Sequence, residues 1–416
     1  MIQTEPGTHS STTPGAASAP SDLWPLDPRV TFLNHGSYGV CPRPVLAAQR
    51  RYQDLMEREP VRWFLTEQER LLDTARESLA GLIHCQASEI GWTPNATIAI
   101  ATVLFSLGLE PGDQVLVNTH EYMSVVNELD RMAGRRGVEC VRAELPSRVV
   151  HEDELVEAIV KRVSTRTRLA IVSQITSPSA MIMPVERITR ELRERGVLVL
   201  VDGAHGPGQI PTDLGAIGPD FYAADLHKWV CTPKGTGVLW VRQEHQDRIR
   251  PIALSSRAHN DRPDRPRFLR DFDYMGTDDH TPMITTTDAI EFMRSQHAEG
   301  IDGVMRRNHE LVCRARDLVC EAVGSEPPVP ESMVPSMASV PLPPLPERLA
   351  HVRPTFDDVL QDRLVERHAI QVPIWTNSLN GERCLRISAQ LYNSFEQYER
   401  LAEALTDLLA QEQGRA

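Results

Sequence analysis

Lysine is nearly missing from this sequence: its 416 residues include only Lys161, Lys228 and Lys234. Acidic residues outnumber basic ones, 57 to 44, for a net charge of −13. A chain so balanced has no basic face with which to neutralise phosphates, so no nucleic-acid partner is expected. No apolar run approaches the ~18 residues of a membrane-spanning helix, so no membrane partner is expected either. Before Arg29 there is no Lys or Arg and no apolar core of a signal peptide. Neither a secretory signal nor a transit peptide is therefore expected. Cysteines stand singly at 41, 85, 140, 231, 313, 320 and 384, with no CxxC pair. An odd, scattered set argues against a disulfide framework and a structural zinc site, and for a reduced, cytoplasmic protein that binds no metal.

Common catalytic signatures are absent too. "GAHGPGQIP" offers Gly206 and Gly208 but has Pro211 where a dinucleotide fingerprint needs its third glycine. No GxSxG elbow occurs, and "HGSYG" lacks the spacing. "HEDEL", "HEYMS" and "HELVC" begin like a zinc-protease motif but lack the second histidine.

What remains is the pattern of an ordinary globular protein, 41% hydrophobic and 24% charged. The length suggests two or three domains at roughly 150 residues each. Residues 1–22 are rich in Ser, Thr, Pro, Gly and Ala and read as a disordered leader. Beyond them, helical periodicity alternates with short apolar strands: "EIGWTP", "QVLVNTH", "VECVRAEL", "LAIVSQIT", "VLVLVDGAHG", "FYAADL" and "TGVLWV". Continuous apolar strands alternating with helices predict an α/β fold, a largely parallel sheet covered on both faces. A long helix over roughly 288–323 follows, then a proline-rich span in which "SMASVPL" reads as an edge strand. A helix, the strands "AIQVPIW" and "CLRISAQ", and a terminal helix complete a smaller α+β unit. The arginine-rich stretch 255–274 reads either as a mobile loop near a substrate or as solvated surface.

Of the three lysines, Lys161 lies among charges on an amphipathic helix, while Lys228 is flanked by His227, Trp229 and Val230. Upstream, Asp202 ends an apolar strand, where sheets of this kind bind ligands. A lysine that bonds an aldehyde and an acid that pairs with a pyridine nitrogen are the combination expected of a pyridoxal-phosphate enzyme. Each residue also has a plainer reading: a surface lysine, an aspartate capping the next helix.

The ordered motifs "FLNHGSYG", "TPNATIAI", "HEYMSV", "VDGAHGPG", "DLHKW", "YMGTDD" and "LRISAQLYN" resemble the class V aminotransferase family of fold-type I pyridoxal-phosphate enzymes. The resemblance spans about 23–410. It is nearest to the isopenicillin N epimerase-like branch, which includes cysteine-conjugate lyases of lincosamide antibiotic biosynthesis. It implies a large cofactor domain at 45–287 on a mainly parallel seven-stranded sheet, and a small domain at 288–416. Residues 23–44 would join the small domain and the substrate side.

The resemblance also implies roles. Lys228 would carry the cofactor and then serve as general base, and Asp202 would face the ring nitrogen. His205 would reach the phenolic oxygen, and Tyr122 would stack on the ring. Asn95, Ala96 and Thr97, at a helix start, would hold the phosphate together with His227. Gly276 and Thr277 would reach the phosphate of a second subunit, making the active unit a homodimer. Arg386 would grip the α-carboxylate of an amino-acid substrate with its planar fork, and Asn34 and His35 would line the substrate side. Taken alone, His205 and Tyr122 read equally as core residues and Arg386 as a surface arginine.

Two positions depart from the family. Asp225 stands where relatives often have Ser or Asn, and a carboxylate there would repel phosphate. The turn within "IQVPIWTNSLNGERC" has no nucleophilic cysteine, which argues against persulfide-forming desulfuration. The reaction expected is removal of the Cα proton followed by C–S β-elimination from a bulky cysteine S-conjugate. Epimerisation, transamination or decarboxylating deamination, and a non-catalytic pyridoxal-phosphate scaffold are the alternatives.

Overall fold

A computed structural model describes residues 20–260, 262–378 and 381–414. Most of the expected leader, residues 1–19, lies outside the described residues. The strands in chain order are β1 (Thr31–Phe32), β2 (Ile90–Thr93), β3 (Gln114–Asn118), β4 (Glu139–Ala143), β5 (Thr167–Ser173) and β6 (Leu198–Asp202). They continue with β7 (Phe221–Asp225), β8 (Gly237–Val241), β9 (Met337–Pro341), β10 (Ile370–Gln371), β11 (Ile374–Ser378) and β12 (Glu382–Ser388).

Seven of them form one sheet in the order β2-β8-β7-β6-β5-β3-β4. Pairing is parallel from β7 through β4, and β8 alone runs against its neighbours. Alternation along each strand explains the apolar runs. On β6, Val199 and Val201 join one core while Leu200 joins the other, and on β5 Ala170 and Val172 oppose Leu169 and Ile171. A parallel sheet buried on both faces needs apolar side chains at successive positions. The helix Ala96–Ser106 packs on β7 and β8, and Asn95 starts it by accepting the Ile98 N–H at 2.9 Å.

A second sheet, ordered β11-β12-β9, is antiparallel, and the helices Gly300–Val323 and Phe395–Glu412 pack beside it. "SMASVPL" lies on its edge strand β9. Arg383 of β12 donates to Asp358 and to Glu412, both at 2.9 Å, a buried ionic tie. The N-terminal stretch belongs with this region: β1 pairs in parallel with β10, and the Ser388 N–H donates to Leu33 O at 2.9 Å.

Three readings of the sequence need correction. The single helix at 288–323 is two, Thr286–Ser295 and Gly300–Val323, because Gly300 takes a left-handed φ of 64°. "AIQVPIW" is two strands, since Pro373 has no N–H to continue the ladder. Stretch 255–274 is neither free nor simply solvated, its residue 261 lying outside the described residues. Arg265 is paired with Asp73 and Asp273, Arg262 with Glu69, and the Arg257 guanidinium lies 3.7 Å from the Tyr274 ring centre. These contacts pin it against the helix Gln68–Ile83.

Candidate active site

The carboxyl ends of β5, β6 and β7 and the start of the helix Ala96–Ser106 border a narrow cleft. Ala96, Thr97, Ile100, Tyr122, Ser124, Ser173, Ile175, Ser177, Asp202, Ala204, His205, Asp225 and Lys228 line it. Parallel sheets present ligand sites at this edge because strand ends and helix starts leave backbone groups unpaired there.

Lys228 sits on the short helix Leu226–Trp229 directly after β7. Its Nζ lies 3.1 Å from Asp225 Oδ2 and 3.4 Å from His205 Nε2. Asp202 ends β6 buried, with Oδ1 accepting the Ala204 N–H at 2.9 Å. Burial raises its carboxyl to about 6, against the pull of the Lys228 charge. His205 is buried, and Trp229 Nε1 donates to its Nδ1 at 3.3 Å. A tryptophan can only donate, so the imidazole proton is assigned to Nε2, which faces Lys228. Burial, reinforced by the Lys228 charge, holds His205 well below the usual range, hence neutral. An ammonium offers no acceptor, so this N–H is left for an oxygen of a ligand beside Lys228.

Tyr122 is half-exposed at the cleft mouth, at the start of the helix Met123–Arg136. The Thr97 and Ser124 hydroxyls lie 3.2 Å apart, and the Ala96 N–H donates to Asp225 Oδ1 at 2.8 Å. Arg386, on β12, is 1% exposed. Its Nη1 donates to Ser177 O at 2.6 Å and its Nη2 to Ser37 Oγ at 3.1 Å, while Nε has no partner among the described residues. Trp375 lies under the guanidinium at 5.1 Å, and burial lowers its pKa to about 10. One edge of the fork, Nε and Nη2, thus carries only a serine hydroxyl.

Other expected site residues are elsewhere. Asn95, His227 and Arg386 are not in the cleft lining: Asn95 caps its helix, the His227 ring lies 3.3 Å from Thr236 O, and Arg386 reaches the cleft only through Ser177. Asn34 accepts the Ser37 hydroxyl at 2.6 Å. Gly276 and Thr277 lie outside this cleft, and the Thr277 hydroxyl meets Tyr274 at 2.9 Å.

His35 is fully buried behind the lysine. Its Nε2 donates to Lys228 O at 2.9 Å, so its Nδ1 accepts from Tyr392 Oη, also at 2.9 Å. Burial lowers it to about 3, so it stays neutral. Next to it Gly39 leaves no room for a side chain, since a Cβ would stand 2.1 Å from His227 O. The N-terminal stretch is therefore pressed directly onto the lysine turn.

Residues that sequence reading missed include Ser173, Ser177 and Glu121. Glu121 is buried, accepts from Ser173 Oγ at 2.8 Å and from the Tyr122 N–H at 3.0 Å, and is raised to about 8 by burial and the Asp202 charge. Ser173 pairs in register with Asp202, so its place at a strand end was the available signal. The donor set fits pyridoxal phosphate: an amine, a carboxyl beyond it, a neutral histidine N–H, and hydroxyls at a helix start.

Sheet, cleft and amine define a fold-type I pyridoxal-phosphate enzyme, and that cofactor is the one this chain takes. More particularly, the chain belongs to the family described as "Aminotransferase class-V", whose profile matches residues 39–340. It is 33% identical over 397 residues to isopenicillin N epimerase of Amycolatopsis lactamdurans, covering 92% of this chain and 96% of that protein. It is 30% identical over 410 residues to L-cysteine desulfhydrase of Arabidopsis thaliana, covering 91% and 88%. Among solved structures, the cystine C-S lyase C-DES superposes with a TM-score of 0.77 at 19% identity, covering 91% of this chain and 97% of that one. Relatives in sequence thus bear the names of L-cysteine desulfhydrases and of isopenicillin N epimerases. Among the described residues no helix is long and apolar enough to cross a membrane.

Proposed function

We propose that this chain removes the Cα proton of an amino-acid substrate and expels a thiolate from Cβ, as a C–S lyase acting on a bulky cysteine S-conjugate in secondary metabolism. The observation that carries the reading is the Lys228 Nζ in the cleft, paired with the Asp225 carboxylate and 3.4 Å from His205 Nε2. When bound, pyridoxal phosphate supplies an electron sink for the pair left by the departing Cα proton.

This chain's residues do the rest. Lys228 would take the proton, Asp202 would pair with the ring nitrogen, His205 would donate from Nε2, and the Nε–Nη2 edge of Arg386 would receive the α-carboxylate in place of the Ser37 hydroxyl. Tyr38 and Tyr122 are both exposed, and the reading assigns the bulky side chain to their side of the site. The reading carries with it a cytoplasmic homodimer in which Gly276 and Thr277 serve the neighbouring subunit. It also carries division of the chain at 45–287 and 288–416, with 23–44 joined to the smaller part.

A second reading, epimerisation, draws on the likeness to isopenicillin N epimerase. Incubation with S-substituted cysteines and with L- and D-amino acids separates the two. Pyruvate and thiol without racemisation are expected, and Lys228→Ala abolishes them. Racemisation without pyruvate would replace lyase by epimerase.

A further inference from the structure

Asp225 fills a place in the cleft that the chemistry above leaves unexplained. It ends β7, is buried, and has both oxygens engaged. Oδ1 accepts the Ala96 N–H at 2.8 Å, and Oδ2 pairs with Lys228 Nζ at 3.1 Å. Ala96 opens an eleven-residue helix whose first turn also brings the Thr97 hydroxyl to the cleft. The start of a helix attracts anions through its unpaired N–H groups and dipole. Here the chain places its own carboxylate on the first of those donors.

We propose that Asp225 is a resident competitor for the cofactor's phosphate, lowering and so setting the affinity for the phosphorylated cofactor. The inference rests on the reading that the phosphate is held at the start of the helix Ala96–Ser106. A single N–H cannot serve the carboxylate and a phosphate oxygen equally well. Two anions a few ångströms apart in a partly desolvated cleft repel strongly. Asp202 adds a second acid to the same lining, against the one ammonium of Lys228. The penalty belongs to the phosphate alone, because an aldehyde without phosphate never contends for Ala96.

The test is titration of the apoenzyme with pyridoxal 5′-phosphate and, separately, with pyridoxal, following absorbance and tryptophan fluorescence. In Asp225→Asn and Asp225→Ser the Kd for pyridoxal 5′-phosphate falls at least tenfold relative to that for pyridoxal. Both ligands meet the same variant protein, so the ratio is insensitive to general damage. A ratio unchanged in both variants, or one shifted against the phosphate form, overturns the proposal. Thr97→Val separates this from failure of the underlying reading. If that variant does not weaken the phosphate form relative to pyridoxal, the phosphate is held elsewhere and the underlying reading fails. If it does and the Asp225 variants leave the ratio unmoved, only the competitor role fails.

Discussion

Replacing His35 with alanine tests whether this residue braces the lysine turn or meets the substrate. The ring is fully buried and bridges Lys228 O and Tyr392 Oη, each at 2.9 Å. Leaving a buried partner unsatisfied costs about 1–3 kcal/mol per bond. Removing a ring from a packed interior costs about 3–5 kcal/mol where the site does not collapse. These contributions overlap, because a relaxed Tyr392 both refills the space and finds other partners. We expect His35→Ala to destabilise the apoenzyme by about 4 kcal/mol, read by urea unfolding followed by far-UV circular dichroism. His35→Gln recovers about half of that, since an amide N–H₂ can still donate to Lys228 O. Attachment of the cofactor to Lys228, trapped by borohydride, slows in the same order. A variant of unchanged stability whose only defect is a raised KM would refute the reasoning and put His35 on the substrate side.

Further outcomes follow from the same geometry. Arg386→Lys keeps the charge but loses the fork, so KM for substrates with a free α-carboxylate rises about 10–100-fold. The KM for the corresponding α-amides barely changes, and an equal rise for both counts against carboxylate binding. The buried carboxyls predict a pH dependence of apoenzyme stability. Glu121 is raised from 4.5 to about 8 and Asp202 from 3.8 to about 6, chiefly by burial. At these two carboxyls the folded state binds more protons than the unfolded one, so their contribution to stability falls as pH rises from about 4 to about 8, while buried neutral histidines such as His35 and His205 act in the opposite direction below about 6.5. The Glu121 share is read as the melting-temperature difference between the wild type and Glu121→Gln, which moves in the variant's favour as pH rises from about 6 to about 8. A difference that stays constant over pH 6–8 would contradict the assignment.

The sheet was legible because burial on both faces demands consecutive apolar residues, which "LAIVS" and "VLVLVD" display. Lys228 was legible because lysine is so scarce and its neighbours are apolar. Breaks within elements were less so: Gly300, which opens the second of two helices, and Pro373, which lies between two strands, act through backbone geometry that hydrophobic periodicity does not register. Asn95, with a polar side chain at a helix start, suits a ligand or a cap equally, and the fold uses it as a cap. His35 suits a substrate contact on sequence grounds, yet its bond to Lys228 O spans 193 residues.

Local pattern therefore determined the strands, the amine at 228 and the acid at the end of β6, since each depends on a residue's own neighbours along the chain. Tertiary packing alone decided that Asp225 would hold the Ala96 N–H across 129 residues, that Glu121 would be buried near Asp202, and that Arg386 would be closed in by Ser37 and Ser177. The physical reason is that desolvation and charge proximity arise from groups brought together through space, and no window of sequence contains both partners.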